Sequence, residues 1–226
     1  MARGKLIAIE GIDGSGKTVQ AHLLMEKLKK EKRPAEPIRF PHRGEGFFGK
    51  MVNRYLNGEF GKSGQVNPYL AALIYAGERL EIKEQINKWL EEGKTVVSRR
   101  YVPSNQAHQG GKLKEPHQRK RFFEWVEELE YKILGNPRPD IIVYLQMPAE
   151  LARELIKKRH KEETRQEKRK DIHEDDPSHL EEAHKTYQEL ASGTGWVTIP
   201  CVKNGKLLHE GAIEEEVWKV VSKVLS

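Results

Sequence analysis

The sequence is poor in the features that mark secreted, membrane-bound or repetitive proteins. It has a single cysteine, Cys201, so no disulfide bond can form within the chain and an intracellular location is expected. No apolar run approaches the roughly 18 residues of a membrane span. No leader segment is expected before the first apolar block at residues 6–9. We therefore expect a cytoplasmic protein with no membrane partner.

The chain also lacks a large excess of one charge. It has 40 basic and 34 acidic side chains, which gives a formal net charge of +6. This modest positive balance favours an anionic ligand, such as nucleic acid, a membrane surface or a nucleotide. A chain of 226 residues can bury a substantial core. We expect residues 1–226 to form a single domain.

The stretch from Gly11 to Thr18 reads G-x-x-x-x-G-K-T, the pattern of a phosphate-binding loop. Its glycines let successive backbone N–H groups point at phosphate oxygens, and the helix that follows adds the positive end of its dipole. Lys17 is suited to the β- and γ-phosphates, and the Thr18 hydroxyl is the predicted Mg²⁺ ligand. The predicted ATP-binding residues are Gly11, Ile12, Asp13, Gly14, Ser15, Gly16, Lys17 and Thr18.

Apolar strand patterns alternate with helical patterns along the chain. After the first strand, further strands are predicted at 38–41, 95–97, 141–145 and 196–199. Helices are predicted after the loop, near 49–56, over 68–92, from 122 to 133, from 148, near 179–190 and near 213–225. Residues 31–37 are predicted as a connector, residues 103–118 as a polar loop or short helix, and Asn204-Gly205 as a turn.

This alternation predicts an α/β fold with three layers, in which helices cover both faces of a five-stranded parallel sheet, as in P-loop NTPases. In such sheets a ligand lies beyond the carboxyl ends of the strands. The residues that follow the predicted strands are therefore the candidates for a site.

Cations, an aromatic ring and amide side chains occupy those positions. Phe40-Pro41-His42-Arg43 follows the second strand, Tyr75 and Arg79 share one face of the long helix, and residues 99–110 follow the third strand. Each of these alone could equally be a core residue or a solvated loop.

Taken together, these side chains suit a flat base attached to a phosphate. The ring of Tyr75 could stack on the base. Base edges could be read by Arg79, Asn105 and Gln109. The phosphate could be held through bidentate contacts by Arg43 and Arg100.

On these motifs the chain resembles the thymidylate kinase family over nearly its whole length. The resemblance rests on Glu10-Gly11-x-Asp13-Gly14-x-Gly16-Lys17-Thr18-x-Gln20, Arg39-Phe40-Pro41-x-Arg43, Tyr75-x-x-x-Arg79, Arg100-Tyr101-x-x-Ser104 and Ala107-x-Gln109-Gly110. The first motif alone would be shared with many phosphate-loop proteins, whereas the later ones narrow the assignment.

The resemblance implies transfer of the γ-phosphoryl group of ATP to dTMP, a step of dTTP biosynthesis, by a homodimer that uses Mg²⁺. ATP and dTMP would be the small-molecule partners. By likeness, Asp13 contacts the sugar 3′-hydroxyl and Tyr75 stacks on thymine. The substrate-binding residues implied are Asp13, Phe40, Pro41, Arg43, Tyr75, Arg79, Arg100, Asn105, His108 and Gln109.

A dense basic segment at about 157–177 would by itself be read as a solvated helix face. In this family it resembles the lid that closes over ATP, with Asp171-Ile172-His173-Glu174 at its far edge. Phosphoryl transfer needs cations over the migrating group. Some family members carry an arginine where this chain has Gly14, so the lid should supply one. The predicted catalytic residues are Lys17, Arg100, Arg159, Arg165 and Arg169.

The sequence departs from the family pattern at two positions. Arg99 stands where the family usually has an acidic residue, and an arginine cannot help to hold Mg²⁺ through water. Glu10 or Asp13 would then be the alternative metal contacts. His108 stands where the family commonly has Tyr or Phe beside the sugar, and an imidazole is expected to titrate near pH 6.5.

Three functions stay open on the sequence. The first is a nucleoside monophosphate kinase that acts on dTMP or on another nucleoside monophosphate. The second is a weak or non-catalytic nucleotide-binding homologue, which Arg99 favours. The third is a nucleic-acid-binding ATPase, but no basic face with interleaved aromatic residues supports it outside the proposed pocket. No nucleic-acid partner is therefore expected.

Overall fold

A computed structural model describes residues 3–42, 46–162, 172, 173, 176 and 178–226. Its centre is a five-stranded parallel sheet in the order β2-β3-β1-β4-β5. The strands are β1 (Leu6–Glu10), β2 (Ala35–Arg39), β3 (Thr95–Arg99), β4 (Ile141–Gln146) and β5 (Trp196–Pro200). A separate hairpin pairs β6 (Val202–Lys203) with β7 (Lys206–Leu207), which confirms the turn predicted at Asn204-Gly205.

Helices flank the sheet on both sides, as the alternating pattern predicts. They are α1 (Lys17–Lys30), α2 (Gly46–Leu56), α3 (Pro68–Glu91), α4 (Val102–Gly110), α5 (Pro116–Glu127), α6 (Ala149–Glu162), α7 (His179–Leu190) and α8 (Glu210–Leu225). The predicted α/β fold with a five-stranded parallel sheet is therefore confirmed. Among the residues described, no helix combines the length and the apolarity needed to cross a membrane.

The central strand β1 is buried along its whole length, with Leu6, Ile7, Ala8 and Ile9 all inaccessible to solvent. Strands covered on both faces read as continuous apolar runs, which is why the sequence located β1 and β4 well. Two cores result. One packs Ile7 and Ile9 against α1 and α8, and the other packs Leu6 and Ala8 against α3.

The strand β2 begins earlier than predicted, within the segment expected to be a connector. It runs from Ala35 to Arg39 and includes Pro37, which pairs in register with Val97 of β3. Proline lacks a backbone N–H, so it is tolerated in a sheet mainly on edge strands. Because β2 is the edge strand of this sheet, the proline does not interrupt it.

The helix predicted from Phe122 to Ile133 starts instead at Pro116, and its last part, Glu128–Ile133, is a π-helix. A π-helix adds a residue to the turn and shifts the face that the following side chains present. In this part of the helix Ile133 is 70% exposed, while Glu130 is fully buried.

The loop-or-helix segment that follows β3 is resolved as a helix over most of its length. Its helix α4 has Pro103 in its first turn, where the missing N–H has no intrahelical partner to lose. Because β1 and β3 are neighbours, the phosphate-binding loop after β1 and the segment from Arg99 to α4 meet at the carboxyl edge of the sheet.

Candidate active site

A cavity of about 640 Å³ opens at this edge of the sheet. It is lined from the loop after β1, from the ends of β2 and β3, and from α3, α4 and α6. The predicted site residues that line it are Asp13, Gly14, Gly16, Lys17, Thr18, Phe40, Pro41, Tyr75, Arg79, Arg100, Asn105, His108, Gln109 and Arg159. Residues from five separate stretches of sequence therefore share one space.

A few predicted residues are not part of this lining. Gly11, Ile12 and Ser15 are buried within the loop itself, where their backbone shapes the lining. Arg43, Arg165 and Arg169 lie outside the described residues, so their roles stay predictions.

The phosphate-binding loop has the backbone that its sequence predicts. Gly16 has φ 86°, a left-handed conformation that glycine adopts without strain, and α1 begins at the next residue. A Cβ atom at Gly14 would lie 2.5 Å from the backbone oxygen of Ala152 on α6. A side chain at position 14 is therefore incompatible with this packing, which fits the expectation that an assisting arginine comes from elsewhere.

Lys17 turns back onto its own loop. Its Nζ donates to the backbone oxygen of Ile12 at 2.5 Å and to Ser15 Oγ at 3.4 Å. Burial lowers the pKa of Lys17 to about 7, and the positive charge of Arg100 adds to this effect. An anionic ligand in the cavity would offset both causes and restore the charge on this lysine.

The hydroxyl of Thr18 has a cationic partner. Nη1 of Arg99 donates to Thr18 Oγ1 at 2.5 Å. The sequence predicts that this hydroxyl holds Mg²⁺, and the structure brings to it the arginine that departs from the family pattern.

Arg100 joins the phosphate-binding loop to α4. Its Nη2 donates to Asp13 Oδ1 at 2.6 Å, and its Nη1 donates to the Gly11 carbonyl oxygen, Ser104 Oγ and His108 Nε2 at 3.2, 3.1 and 2.8 Å. Its φ of 66° is left-handed, which for a residue with a Cβ costs about 1 kcal/mol. The surrounding bonds stabilise this strained residue.

The Asp13 carboxylate stays ionised because of its neighbours. Burial would raise the pKa of Asp13, but the positive charges of Arg100 and Lys17 hold it well below its usual range. The same carboxylate raises the pKa of Arg100 against the effect of burial. Only Oδ1 of Asp13 accepts a hydrogen bond from the described residues, so Oδ2 can accept one from a ligand hydroxyl.

Glu10 fixes the backbone that carries Arg100. One carboxylate oxygen accepts from the Tyr101 backbone N–H at 2.6 Å, and the other accepts from Ser104 Oγ at 2.6 Å and the Tyr187 hydroxyl at 2.8 Å. Burial raises the pKa of Glu10 although these donors oppose the rise. With both oxygens engaged, Glu10 has a structural role, and the alternative that it contacts a metal is not supported.

His108, which is partly exposed, stacks with two buried imidazoles. The rings of His108 and His179 are 5.1 Å apart at 26°, and those of His179 and His173 are 4.1 Å apart at 13°. Since Arg100 can only donate, His108 Nε2 accepts and its proton lies on Nδ1, which donates to His179 Nε2 at 2.9 Å. His173 Nδ1 is 2.9 Å from Ser63 Oγ.

These imidazoles do not titrate at the ordinary histidine pH. Burial, with the charge of Arg100, lowers the pKa of His108 well below its usual value. Burial lowers the pKa of His173 in the same way, and that of His179 to about 4. The expectation that His108 changes charge near pH 6.5 is therefore wrong, because the folded chain accommodates it as a neutral ring.

The far end of the cavity contains a buried ion pair. Glu130 accepts from Arg79 Nε at 3.0 Å and from its Nη2 in a shorter contact, and Asn136 Nδ2 donates to the same carboxylate at 2.8 Å. The Arg79 guanidinium lies 5.7 Å from the centre of the Phe40 ring. The ring of Tyr75 lies 6.0 Å from that of Tyr55, at a right angle to it.

Two buried amide atoms in the cavity lining have no hydrogen-bond partner among the described residues. They are Asn105 Oδ1 and Gln109 Nε2, one acceptor and one donor. The other ends of both amides are fixed, since Asn105 Nδ2 donates to the Ala72 carbonyl oxygen at 3.0 Å and Gln109 Oε1 accepts from the Tyr55 hydroxyl at 3.4 Å. Buried polar atoms without partners are costly, which suggests that a ligand satisfies them.

The far edge of the predicted lid packs onto the core beside the cavity. The backbone N–H of Ile172 donates to the Leu56 carbonyl oxygen at 2.9 Å, and its side chain packs with Val52 and Tyr55. At the near edge, Arg159 on α6 lines the cavity. The segment between these edges includes Arg165 and Arg169.

Two residues that shape the site were missed from the sequence. Glu130 stands on the apolar face of its helix, four residues after Val126, and a carboxylate at such a position is a signal for a buried partner. Tyr187 follows Ala183 by four residues on the buried face of α7. Nothing in the sequence separates it from an ordinary core tyrosine.

The histidine stack predicts a loss of stability in mild acid. The folded chain accepts these rings only as neutral, so the unfolded chain takes up protons first as the pH falls below about 6.5. Between pH 7.5 and 5.5 the three rings together should lower the free energy of unfolding by about 4 kcal/mol. Urea denaturation at the two pH values measures this difference. In His179→Gln this decrease in the free energy of unfolding should be smaller by about a third.

The matched control is His117→Gln, which changes an exposed histidine on α5. Its pH-dependent loss of stability should equal that of the unmodified chain. An undiminished loss in His179→Gln would show that the stack is not the cause.

Comparison with known proteins shows the family of the chain. The family model described as thymidylate kinase matches residues 9–211. A thymidylate kinase of Schizosaccharomyces pombe is 32% identical over 150 residues, so the alignment spans 66% of this chain and 64% of that relative. One from Mycobacterium tuberculosis (strain H37Rv) is 31% identical over 191 residues, which cover 84% of this chain and 87% of that protein.

The fold has a counterpart among solved structures. A thymidylate kinase from Candida albicans matches with a TM-score of 0.76 at 24% identity, over 99% of this chain and 93% of that one. At this identity the match shows the fold. The family model and the sequence relatives go further and establish that the chain belongs to the thymidylate kinase family.

Proposed function

We propose that this chain transfers the γ-phosphoryl group of ATP to dTMP, giving ADP and dTDP, a step of dTTP biosynthesis. The family assignment favours this function over a non-catalytic nucleotide-binding protein and over a kinase for a different nucleoside monophosphate. The observation that carries it is a single cavity with a phosphate-binding loop at one end and a pocket of buried amides and an arginine at the other.

The donor nucleotide is assigned to the loop end of the cavity. Backbone N–H groups of the loop and the first turn of α1 would bind the β-phosphate of ATP. Lys17, freed from the Ile12 carbonyl oxygen, would reach the β- and γ-phosphates. This role is supported by its lowered pKa, since the phosphates stabilise its charged form.

The acceptor is assigned to the opposite end. Both amide atoms are covered in this structure, so a small movement of the lining would let Asn105 Oδ1 accept from the N3–H of thymine and Gln109 Nε2 donate to a ring carbonyl oxygen. Nη1 of Arg79 remains for a second carbonyl oxygen, because Nε and Nη2 are held by Glu130. The pattern of one acceptor among donors fits thymine or uracil. Tyr75 would stack on the base, and Asp13 Oδ2 would accept from the sugar hydroxyl.

Arg100 stands between the two ends and would hold the acceptor phosphate against the loop. An oxygen of that phosphate, already anionic, attacks the γ-phosphorus in line. The bond from the γ-phosphorus to the bridging oxygen breaks, and ADP leaves with the electron pair. No proton has to move to a general base, so catalysis depends on positioning and on cations around the transferred group.

The predicted Mg²⁺ does not fit the protein groups described. Thr18 Oγ1 accepts from Arg99, both oxygens of Glu10 are occupied, and Asp13 pairs with Arg100. Among the described residues no cluster of three or more His, Cys, Asp or Glu side chains could hold a metal. Mg²⁺ therefore stays a prediction from the family, and the mechanism above uses no protein-held ion.

The test of the function is ADP release, measured in a coupled assay with ATP and Mg²⁺ and with dTMP, dUMP, UMP or dGMP in turn. We expect dTMP to be the preferred acceptor. Lys17→Ala should lower kcat by at least about 100-fold, because it removes a cation from the transferring phosphates. Lys29→Ala, exposed on the same helix, should leave kcat unchanged. No turnover with any of the four acceptors would exclude the proposed activity.

The base pocket is tested by Gln109→Leu. This change removes a buried donor without removing volume, and it should raise KM for dTMP about tenfold or more, with a smaller change in kcat. Gln118→Leu, at an exposed position on α5, serves as the control. An unchanged KM in Gln109→Leu would contradict the role assigned to this amide.

We also propose that the outer face of α3 pairs with a second copy of the chain. Leu70, Leu73 and Leu80 fall on one helical stripe and are 60, 42 and 38% exposed. Phe47 on α2, which packs beside α3, is 69% exposed. Such a contiguous apolar surface is uncommon on a monomer.

The cytoplasmic location expected from the sequence stays a prediction.

The oligomeric state is measured by light scattering after size-exclusion chromatography. The unmodified chain should elute at twice its own mass, and Leu73→Glu should shift it toward the monomer by placing a charge in the interface. Leu207→Glu, exposed on the β6–β7 hairpin, is the matched control and should stay dimeric. A monomeric unmodified chain would rule this interface out.

A further inference from the structure

Arg99 is placed firmly at the donor end of the cavity. It is the last residue of β3 and pairs in register with Ile9 of β1 and Arg39 of β2. Its carbonyl oxygen accepts from the Phe40 backbone N–H at 3.0 Å. With strands on both sides, its backbone is fixed, and its side chain extends to the first turn of α1.

The group that Arg99 contacts there is the one that a phosphate-binding loop normally offers to a divalent cation. Its Nη1 donates to Thr18 Oγ1 at 2.5 Å. A guanidinium keeps its charge at any accessible pH and can only donate. A second, doubly charged cation on the same hydroxyl would lie within a few ångströms of it. Of the described carboxylates nearby, Glu10 has both oxygens engaged, and Asp13 pairs with Arg100 through Oδ1.

We propose that Arg99 takes the place of a protein-held divalent cation at the donor phosphates, so that this chain binds metal-free ATP nearly as well as the magnesium complex. The proposal rests on the proposed function, because it assigns ATP to this end of the cavity. The planar guanidinium presents paired donors that match phosphate oxygens, and it lines the same cavity as Lys17.

The charges in this part of the cavity support the assignment. Lys17, Arg99 and Arg100 all line it, and the charge of Arg99 is one of the causes of the lowered pKa of Lys17. Cations that weaken one another in this way are stabilised by a polyanion. Metal-free ATP carries two more negative charges than its magnesium complex. It therefore neutralises the positive charges of these three side chains better.

The test is the affinity for ATP without dTMP, measured by calorimetry in Mg²⁺ and again in EDTA. For the unmodified chain the ratio of Kd in EDTA to Kd in Mg²⁺ should be below ten. In Arg99→Asp the ratio should rise at least tenfold above that of the unmodified chain. In Arg99→Lys, which keeps a charge, the rise should be smaller. Lys29→Gln is the control and should keep the unmodified ratio.

A ratio of ten or more in the unmodified chain would overturn the proposal, and so would an equal ratio in Arg99→Asp. The first of these outcomes needs no variant, so misfolding of a variant cannot hide it. Turnover of dTMP by the same preparation, measured separately with Mg²⁺, shows whether the proposed kinase activity survives such a result.

Discussion

The ion pair between Arg100 and Asp13 is the interaction on which the site depends. It joins the phosphate-binding loop after β1 to the segment after β3, and the sheet order makes these strands neighbours. Glu10, the last residue of β1, supports this connection because its carboxylate accepts a hydrogen bond from the backbone N–H of Tyr101. Loss of Asp13 would leave the largely buried guanidinium of Arg100 without this partner, which costs more than loss of an exposed surface pair.

The cavity concentrates positive charge that the folded chain only partly compensates. Asp13 neutralises Arg100, whereas Lys17 gains little, and burial lowers its pKa to about 7. At the other end, Glu130 compensates Arg79 fully in a buried pair. The two ends therefore differ in charge balance, and on the proposed function the fully paired arginine would face the neutral base while Lys17 would face the phosphates.

The sequence predicted the elements whose cause is local. Glycines with left-handed φ, continuous apolar strands and a Gly-Lys-Thr helix start specify β1, the loop and α1 without help from the rest of the chain. It could not predict partners set by tertiary packing. Glu130 has a local signal, but its partner Arg79 lies 51 residues away in sequence, and Tyr187 became identifiable only once α7 packed on α4. The neutral state of His108 likewise depends on Arg100 and His179, which are adjacent only in the fold.

The two buried amides of the cavity show how long-range packing fixes the orientation of hydrogen-bonding groups. Tyr55 on α2 and the Ala72 carbonyl oxygen on α3 each fix one end of an amide from α4, which leaves Gln109 Nε2 and Asn105 Oδ1 as the unsatisfied ends. Each unsatisfied atom costs about 1–3 kcal/mol. A ligand regains that free energy only if its edge offers an acceptor and a donor in the matching order. The Ala72 carbonyl oxygen can only accept, so Asn105 cannot reverse without losing that bond, whereas the Tyr55 hydroxyl constrains Gln109 less strongly at 3.4 Å.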